Sequence, residues 1–287
     1  MKILLTGGTG YIGSTILDRL IDAGHQVTAV VRNEKSSLKV QDSGANGVIG
    51  DLYNAQWLAA ELAQHDAAIH TAAPDDGTAA DLDDAVIDAA ISAFADTNRP
   101  FVHTGGIWSY GDNSAIDESS ALAPAAISAW RTERETRLLE SGIRASVIQP
   151  ALVYGRGQGI PTIISDAPRT EDGSLILVGS GDQHWTTVHV DDIADLYVLA
   201  LEMAPGGKSY IGANGDNPTV RELGEAVAER VTAESDDSSR ERLGSEFADA
   251  LFLDQKASGD NARHTLGWSP KGQPLVDQLR AGYADAG

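Results

Sequence analysis

Apolar and polar positions fall along the first half of the chain in two alternating rhythms. Residues 2–6 are an apolar run of strand length, and residues 11–23 then place Ile12, Ile16, Leu17 and Leu20 on one helical face. Gly24 follows, a residue that tolerates positive φ and so ends a helix. Further apolar strands are expected at 27–31, 47–50, 67–70, 100–104 and 144–149. Helical patterns near 54–64, 81–97 and 128–140 stand between the later ones. This alternation predicts an α/β fold, a doubly wound parallel sheet covered by helices on both faces. Beyond Pro150 the rhythm weakens: loops rich in Gly, Pro and Asp separate short elements, with helices expected at 192–203 and 220–232. The expected organisation is a nucleotide-binding-type sheet domain over 1–155 and a smaller, loop-rich C-terminal lobe over 156–287, some segments of which return to the sheet.

Charge narrows the partners. Asp and Glu number 42 against 21 Lys and Arg, a formal net charge of -21. Such a field repels nucleic-acid phosphates and anionic membranes, leaving a small-molecule partner as the expectation. The acid is spread along the chain, as in Asp81-Leu82-Asp83-Asp84, and reads as a solvated surface. Without cysteine there is neither a disulfide framework nor a thiolate metal site, and the seven scattered His suggest no metal site. No apolar run approaches the roughly 18 residues of a membrane span. The strand pattern begins at once, with no room for a signal peptide, so a cytoplasmic location is expected.

The most specific local feature is Gly7-Gly8-Thr9-Gly10-Tyr11-Ile12-Gly13, which follows a predicted strand and opens a predicted helix. In that context Gly7 permits the sharp turn, Gly10 lets backbone approach a pyrophosphate, and Gly13 lets helix and strand pack closely. Free N–H groups and the positive helix end then face the phosphates of a dinucleotide, as in a Rossmann domain. About 20 residues further on, the group that meets the adenosine ribose should be Asp or Glu for NAD. Here the second strand runs into Arg32, whose guanidinium suits a 2′-phosphate, so NADP is the expected cofactor and NAD the alternative.

Several further segments, in order, carry a resemblance to a known family. Gly50-Asp51-Leu52 looks like an adenine-contacting segment, with Asp51 and Leu52 at the cofactor. His70-Thr71-Ala72-Ala73-Pro74 resembles the turn that passes the ribose, with Ala72 and Ala73 beside it. Gln149-Pro150-Ala151-Leu152-Val153-Tyr154-Gly155 is similar to an RPxxVYG stretch beside the nicotinamide, with Pro150 and Val153 in contact. Val188-His189-Val190-Asp191-Asp192 and Leu266-Gly267-Trp268-Ser269-Pro270 resemble elements of the C-terminal lobe. Over nearly its whole length the chain thus resembles the extended short-chain dehydrogenase/reductase superfamily, of the NAD-dependent epimerase/dehydratase type. The resemblance implies a Rossmann domain, a dinucleotide held also by Thr9, Tyr11, Ile12 and Thr104, and a possible homodimer.

It also implies a Tyr and a Lys spaced YxxxK on one helix, with a Ser or Thr after the fifth strand. In such enzymes the phenol moves a proton while hydride travels to or from the nicotinamide. Here the spacing puts Trp130 at the Tyr position, Arg134 at the Lys position and Gly106 at the Ser position. An indole N–H is no proton-transfer acid near neutrality, and a guanidinium does not readily give up its charge. What could stand in for the usual groups is Tyr110, a water or the substrate as proton source, Trp130 beside the nicotinamide and Arg134 on the ribose. Tyr110 also reads as a packing residue, as do Tyr154 and His189. Neither a GxSxG elbow nor HExxH is present, and Ser14 follows Gly13 where a triphosphatase loop needs Lys. The expected function is an atypical NADPH-dependent oxidoreductase of a small carbonyl or sugar-like substrate. A catalytically silent NADP(H) sensor and an NAD-dependent epimerase or dehydratase remain open.

Overall fold

In the computed structural model, which describes residues 1–283, seven strands form one parallel sheet. They are β1 (Lys2–Thr6), β2 (Gln26–Val31), β3 (Asn46–Ile49), β4 (Ala67–His70), β5 (Phe101–Thr104), β6 (Ala145–Pro150) and β7 (Lys208–Gly212). Their order across the sheet is β7-β6-β5-β4-β1-β2-β3. All six neighbouring pairs are parallel. The order reverses between β1 and β4, and a doubly wound sheet opens its ligand crevice at that switch, beyond the strands' carboxyl ends.

The helices that position the site are α1 (Tyr11–Asp22), α2 (Glu34–Asp42), α3 (Ala55–Leu62), α4 (Ala79–Phe94), α5 (Arg131–Glu140) and α6 (Val190–Met203). β1 shows how the sheet divides the core. Ile3 and Leu5 join Ile16, Leu17 and Leu20 of α1 and the apolar face of α6 on one side, whereas Leu4 joins Leu58, Val86, Ile87 and Leu138 of α3, α4 and α5 on the other. This is the two-residue period of a strand buried on both faces. Each such fully buried side chain contributes about 1.5–3 kcal/mol, which makes the apolar runs decisive for the sheet.

The element boundaries differ from expectation in two informative places. The pattern over 128–140 begins as a 3-10 turn, Ala126–Ser128, and the α-helix proper starts at Arg131 with Trp130 as its N-cap. The expected helix over 220–232 stops at Val227, where Ala228 turns extended, and Val231–Thr232 pairs instead with Leu175–Ile176. β-branched Val231 and Thr232 suit that pairing better than a helix end. Gly24 follows α1 at φ 79°, as expected. Strand β7 comes from beyond residue 156 and pairs with β6, extending the sheet at its edge. Among the described residues no helix is long and apolar enough to cross a membrane.

Candidate active site

The glycine loop is built tightly on one side and left open on the other. Gly7 has φ 78°, and a Cβ there would stand 2.5 Å from Thr71 Oγ1 and 2.7 Å from the Ala72 nitrogen. The turn carrying Ala72 and Ala73 therefore lies directly against the loop. A Cβ on Gly13 would come 2.1 Å from the Gly7 oxygen, so helix and loop touch through bare backbone. A Cβ on Gly10 would meet only the Gly7 oxygen, at 3.3 Å, and otherwise face open space. α1 has no side-chain cap and no acid in its first turn, whereas Asn33 and Asn54 cap α2 and α3. An uncapped helix start with positive dipole and free N–H groups fits an anionic pyrophosphate.

Of the residues expected at the adenosine end, Arg32 is exposed directly after β2, and Asp51 and Leu52 follow β3. Asp51 Oδ1 accepts from the Tyr53 nitrogen at 3.0 Å. Sequence reasoning missed Lys39 on α2, whose Nζ donates to the Thr9 oxygen at 3.0 Å. Its placement beside the glycine loop follows from α2 folding back over the β1 turn, which periodicity alone does not reveal.

On the other side of the α1 start lies a cavity of about 360 Å³. Of the expected site residues, Tyr11, Ile12, Thr104, Trp130, Pro150 and Val153 all line it. Ile107, Trp108, Ile127, Leu152, Ile160 and Arg131 complete most of its wall and were not anticipated. Gly106, at the usual Ser position, is extended (φ -177°, ψ 146°), and a Cβ there would meet nothing within 4 Å. The hydroxyl of Thr104 turns away from the cavity, donating to the His70 oxygen and meeting Tyr197 Oη, each at 2.7 Å.

Two expected catalytic groups do not face this cavity. Tyr110 is buried in the core, turned toward Ser209 of β7 and Glu118, and burial, aided by Glu118 and Glu135, pushes its phenol pKa up. It is placed for packing, not for proton delivery. Arg134 is drawn to the acidic face of α4: Nη2 meets Asp84 Oδ2 at 2.5 Å, Nε donates to the Ala80 oxygen at 3.1 Å and Nη1 to the Trp130 oxygen at 2.8 Å. All three of its nitrogens are thus engaged at α4 and at the helix start, and the side chain does not line the cavity, unlike the ribose contact expected of it. Trp130 does form a wall of the cavity, but its indole N–H is committed to the Ile127 oxygen at 3.1 Å. Tyr154 donates to the Gln273 oxygen and His189 caps α6, both inside the architecture. Tyr11 donates to the Gly155 oxygen at 2.8 Å, and burial raises its pKa, so it too is a poor acid.

Arg131, three positions before Arg134, reaches the cavity. Its Nη1 donates to the Thr104 oxygen at 2.9 Å, its guanidinium stacks 4.3 Å over the Trp130 ring, and Asp83 Oδ2 is 3.9 Å away. Behind it runs a buried polar layer. His70 Nε2 is 3.2 Å from Asp83 Oδ1, His103 Nε2 is 3.2 Å from Asp83 Oδ2, and His70 Nδ1 is 2.6 Å from Thr6 Oγ1. Burial alone would raise the pKa of Asp83, but the two histidine neighbours outweigh it and hold the carboxyl below its ordinary range. Burial lowers the pKa of His103 against the opposing hydrogen bond and charge of Asp83.

Glu135, one turn after Arg131, is also buried; burial pushes it up to about 7 against the opposing hydrogen bond from Gln149 and the charge of Arg131. Gln149 bridges, donating to Glu135 Oε2 at 2.6 Å and accepting from the Gly106 nitrogen at 2.5 Å. The four-residue spacing of Arg131 and Glu135 was visible in the sequence as one helix face.

Similarity to known proteins agrees with this geometry. Residues 3–212 match the model of the NAD dependent epimerase/dehydratase family. Uncharacterized protein C2A9.02 of Schizosaccharomyces pombe is 30 % identical over 97 % of this chain and 98 % of its own length. A 2-alkyl-3-oxoalkanoate reductase of Stenotrophomonas maltophilia is 31 % identical over 78 % of this chain and 73 % of its own. Among solved structures, the dTDP-glucose 4,6-dehydratase DesIV of Streptomyces venezuelae, with NAD bound, superposes with a TM-score of 0.75 at 21 % identity, covering 98 % of this chain and 95 % of that one. The fold, the nucleotide cradle and the sequence match agree: the chain belongs to the NAD-dependent epimerase/dehydratase family, within the extended short-chain dehydrogenase/reductases.

Proposed function

We propose that the protein is an NADPH-dependent reductase of a small carbonyl compound with an apolar body. The observation that carries this reading is the cavity beside the uncapped start of α1, walled by Ile107, Trp108, Ile127 and Trp130 and holding one charged side chain. Its volume of about 360 Å³ lies at the small end of ligand pockets. A reduced nicotinamide supplies a hydride when bound. The chain's own share is to hold the phosphates on Gly7–Gly13 backbone, enclose the reacting groups in apolar walls and orient the carbonyl. The 3-oxoalkanoate reductase among the relatives acts, by its name, on a ketone, which supports a carbonyl substrate here.

NADP(H) is favoured over NAD(H) by two cations at the adenosine end: Arg32 after β2, and Lys39, which reaches the Thr9 oxygen. No acidic residue stands at position 32 to accept a ribose hydroxyl. A second reading, a catalytically silent NADP(H) binder, draws on the spent indole N–H of Trp130 and the bare Gly106.

The readings separate in one set of measurements. NADPH and NADH binding are titrated by protein fluorescence, and NADPH oxidation is followed with a panel of small ketones and aldehydes. Turnover with any of them supports the reductase, and tight binding without turnover supports the silent binder. Replacing both Arg32 and Lys39 by Ala should weaken NADPH roughly 10- to 100-fold, the scale of a lost charged hydrogen bond, and leave NADH unchanged. Equal weakening of both cofactors would sink the NADP assignment.

A further inference from the structure

Arg131 is the one charged side chain lining the cavity among the described residues. Its surroundings fix it without using it up. The Thr104 oxygen takes one N–H, the Trp130 ring supports one face, and Asp83 lies at 3.9 Å, beyond direct hydrogen bonding. No other acceptor is bonded to Arg131 among the described residues, so Nε and Nη2 keep donors to offer. The side chain is 17 % exposed, open to a small ligand yet largely withdrawn from water. The two positions where a hydroxyl would ordinarily meet a substrate oxygen, 106 and 130, carry no side chain and a committed indole.

We propose that Arg131 is the oxygen-holding residue of this cavity: its guanidinium bonds the substrate's carbonyl oxygen and stabilises the negative charge that develops there. This rests on the reductase reading above. With a reduced nicotinamide bound as the two-electron donor, hydride addition to the carbonyl carbon would form the C–H bond and leave the π pair of the C=O bond on oxygen, against the guanidinium. Water would supply the proton that completes the alcohol. A guanidinium serves such a step as a fixed charge and not as a proton source. A fixed cation in a water-poor site is worth far more to a developing oxyanion than the same cation in bulk water. Asp83 is a positioning residue here: tied to His70 and His103 at the ends of β4 and β5, it anchors the charge of Arg131 near Thr104.

The test uses the full chain with Arg131→Met and Arg131→Lys, with thermal melts to confirm folding. Arg131→Lys keeps a charge opposite Asp83 if the Met variant fails to fold. First, acetate, a small planar oxyanion, is titrated at constant ionic strength into protein loaded with NADP⁺, with tryptophan fluorescence reporting through Trp130. The wild type should respond saturably, the Lys variant more weakly and the Met variant not at all. Second, carbonyl reduction should fall about 100-fold or more in kcat for Arg131→Met, with partial recovery in Arg131→Lys and NADPH affinity unchanged.

An equal acetate response in wild type and Arg131→Met, including none in either, overturns the proposal. So does a loss of NADPH affinity in step with the loss of rate, which would assign Arg131 to the cofactor ribose. Absence of carbonyl turnover in the wild type, with acetate binding still dependent on Arg131, would instead sink the reductase reading and leave the oxygen-holding role standing.

Discussion

Glu135 sits on the same face of α5 as Arg131, its carboxyl against Gln149 and beneath Gly105, where a Cβ would come 2.7 Å from Glu135 Oε1. Because folding raises its pKa from 4.5 to about 7, the folded protein holds a proton that the unfolded chain has already released at intermediate pH. The associated stability is fully present below about pH 4.5 and is lost as pH rises through 7. Glu135→Gln keeps the acceptor for Gln149 and removes the titration. It should match the wild type near pH 4.5 and exceed it by roughly 3 kcal/mol above pH 8, as read by urea unfolding at several pH values. A difference that does not change with pH would show that Glu135 is not a proton-holding group. Residue identity explains where sequence reasoning succeeded and failed at the site. Tyr11, Ile12, Pro150 and Val153 fall in the cavity because backbone motifs place them. Arg131 and Arg134 are chemically identical, and it is tertiary surroundings, Asp84 and the Ala80 oxygen of α4 for Arg134, that decide which one is captured.

At the level of elements, the β1–loop–α1 unit was legible because each glycine answers to a separate geometric demand. Those demands make distinct predictions. Gly13→Ala forces a methyl group to within 2.1 Å of the Gly7 oxygen, so the unliganded fold itself should lose about 1–3 kcal/mol. Gly10→Ala meets only a 3.3 Å contact and should melt close to wild type, yet its methyl group occupies the face offered to the pyrophosphate. Calorimetric melts with and without NADPH check both: Gly10→Ala should lose most of the cofactor-induced rise in Tm. Retention of that rise would show that the phosphates do not lie on this loop. Strands β1, β2, β4, β5 and β6 were readable because each is a largely buried, mostly apolar run, whereas the edge strand β3, Asn46–Ile49, is half-exposed and showed itself only through Val48 and Ile49. The lobe elements were less so: Leu175–Ile176 and Val231–Thr232 are two-residue strands that exist only by pairing with each other. Helix α5 was found but entered early, because the 3-10 turn before it carries a similar polar–apolar spacing.

For the molecule as a whole, a net charge of -21 is a standing repulsion that the fold must overcome. Many cations are already drawn into close pairs, as Arg134 and Arg137 are with Asp84 and Asp88, leaving an excess of carboxylates on the surface. Screening should therefore stabilise this protein, as the Debye length contracts from about 10 Å at 0.1 M salt to about 3 Å at 1 M. Tm should rise by several degrees between those concentrations of NaCl, and a flat or falling Tm would mean that the attractive pairs dominate. The architecture also has a consequence in time. Tyr11 Oη donates to the Gly155 oxygen, and the Gly155 nitrogen donates at 2.8 Å to Tyr283 Oη, which in turn donates to the Gln158 oxygen. The start of the first helix, the stretch after β6 and the last described turn thus meet at a single knot beside the cavity. A nascent chain makes α1 early, but the apolar face of that helix is covered only once α6 has left the ribosome. The knot beside the cavity is tied later still, when Tyr283 arrives, so synthesis itself sets an order in which the first helix is covered before its start is fastened.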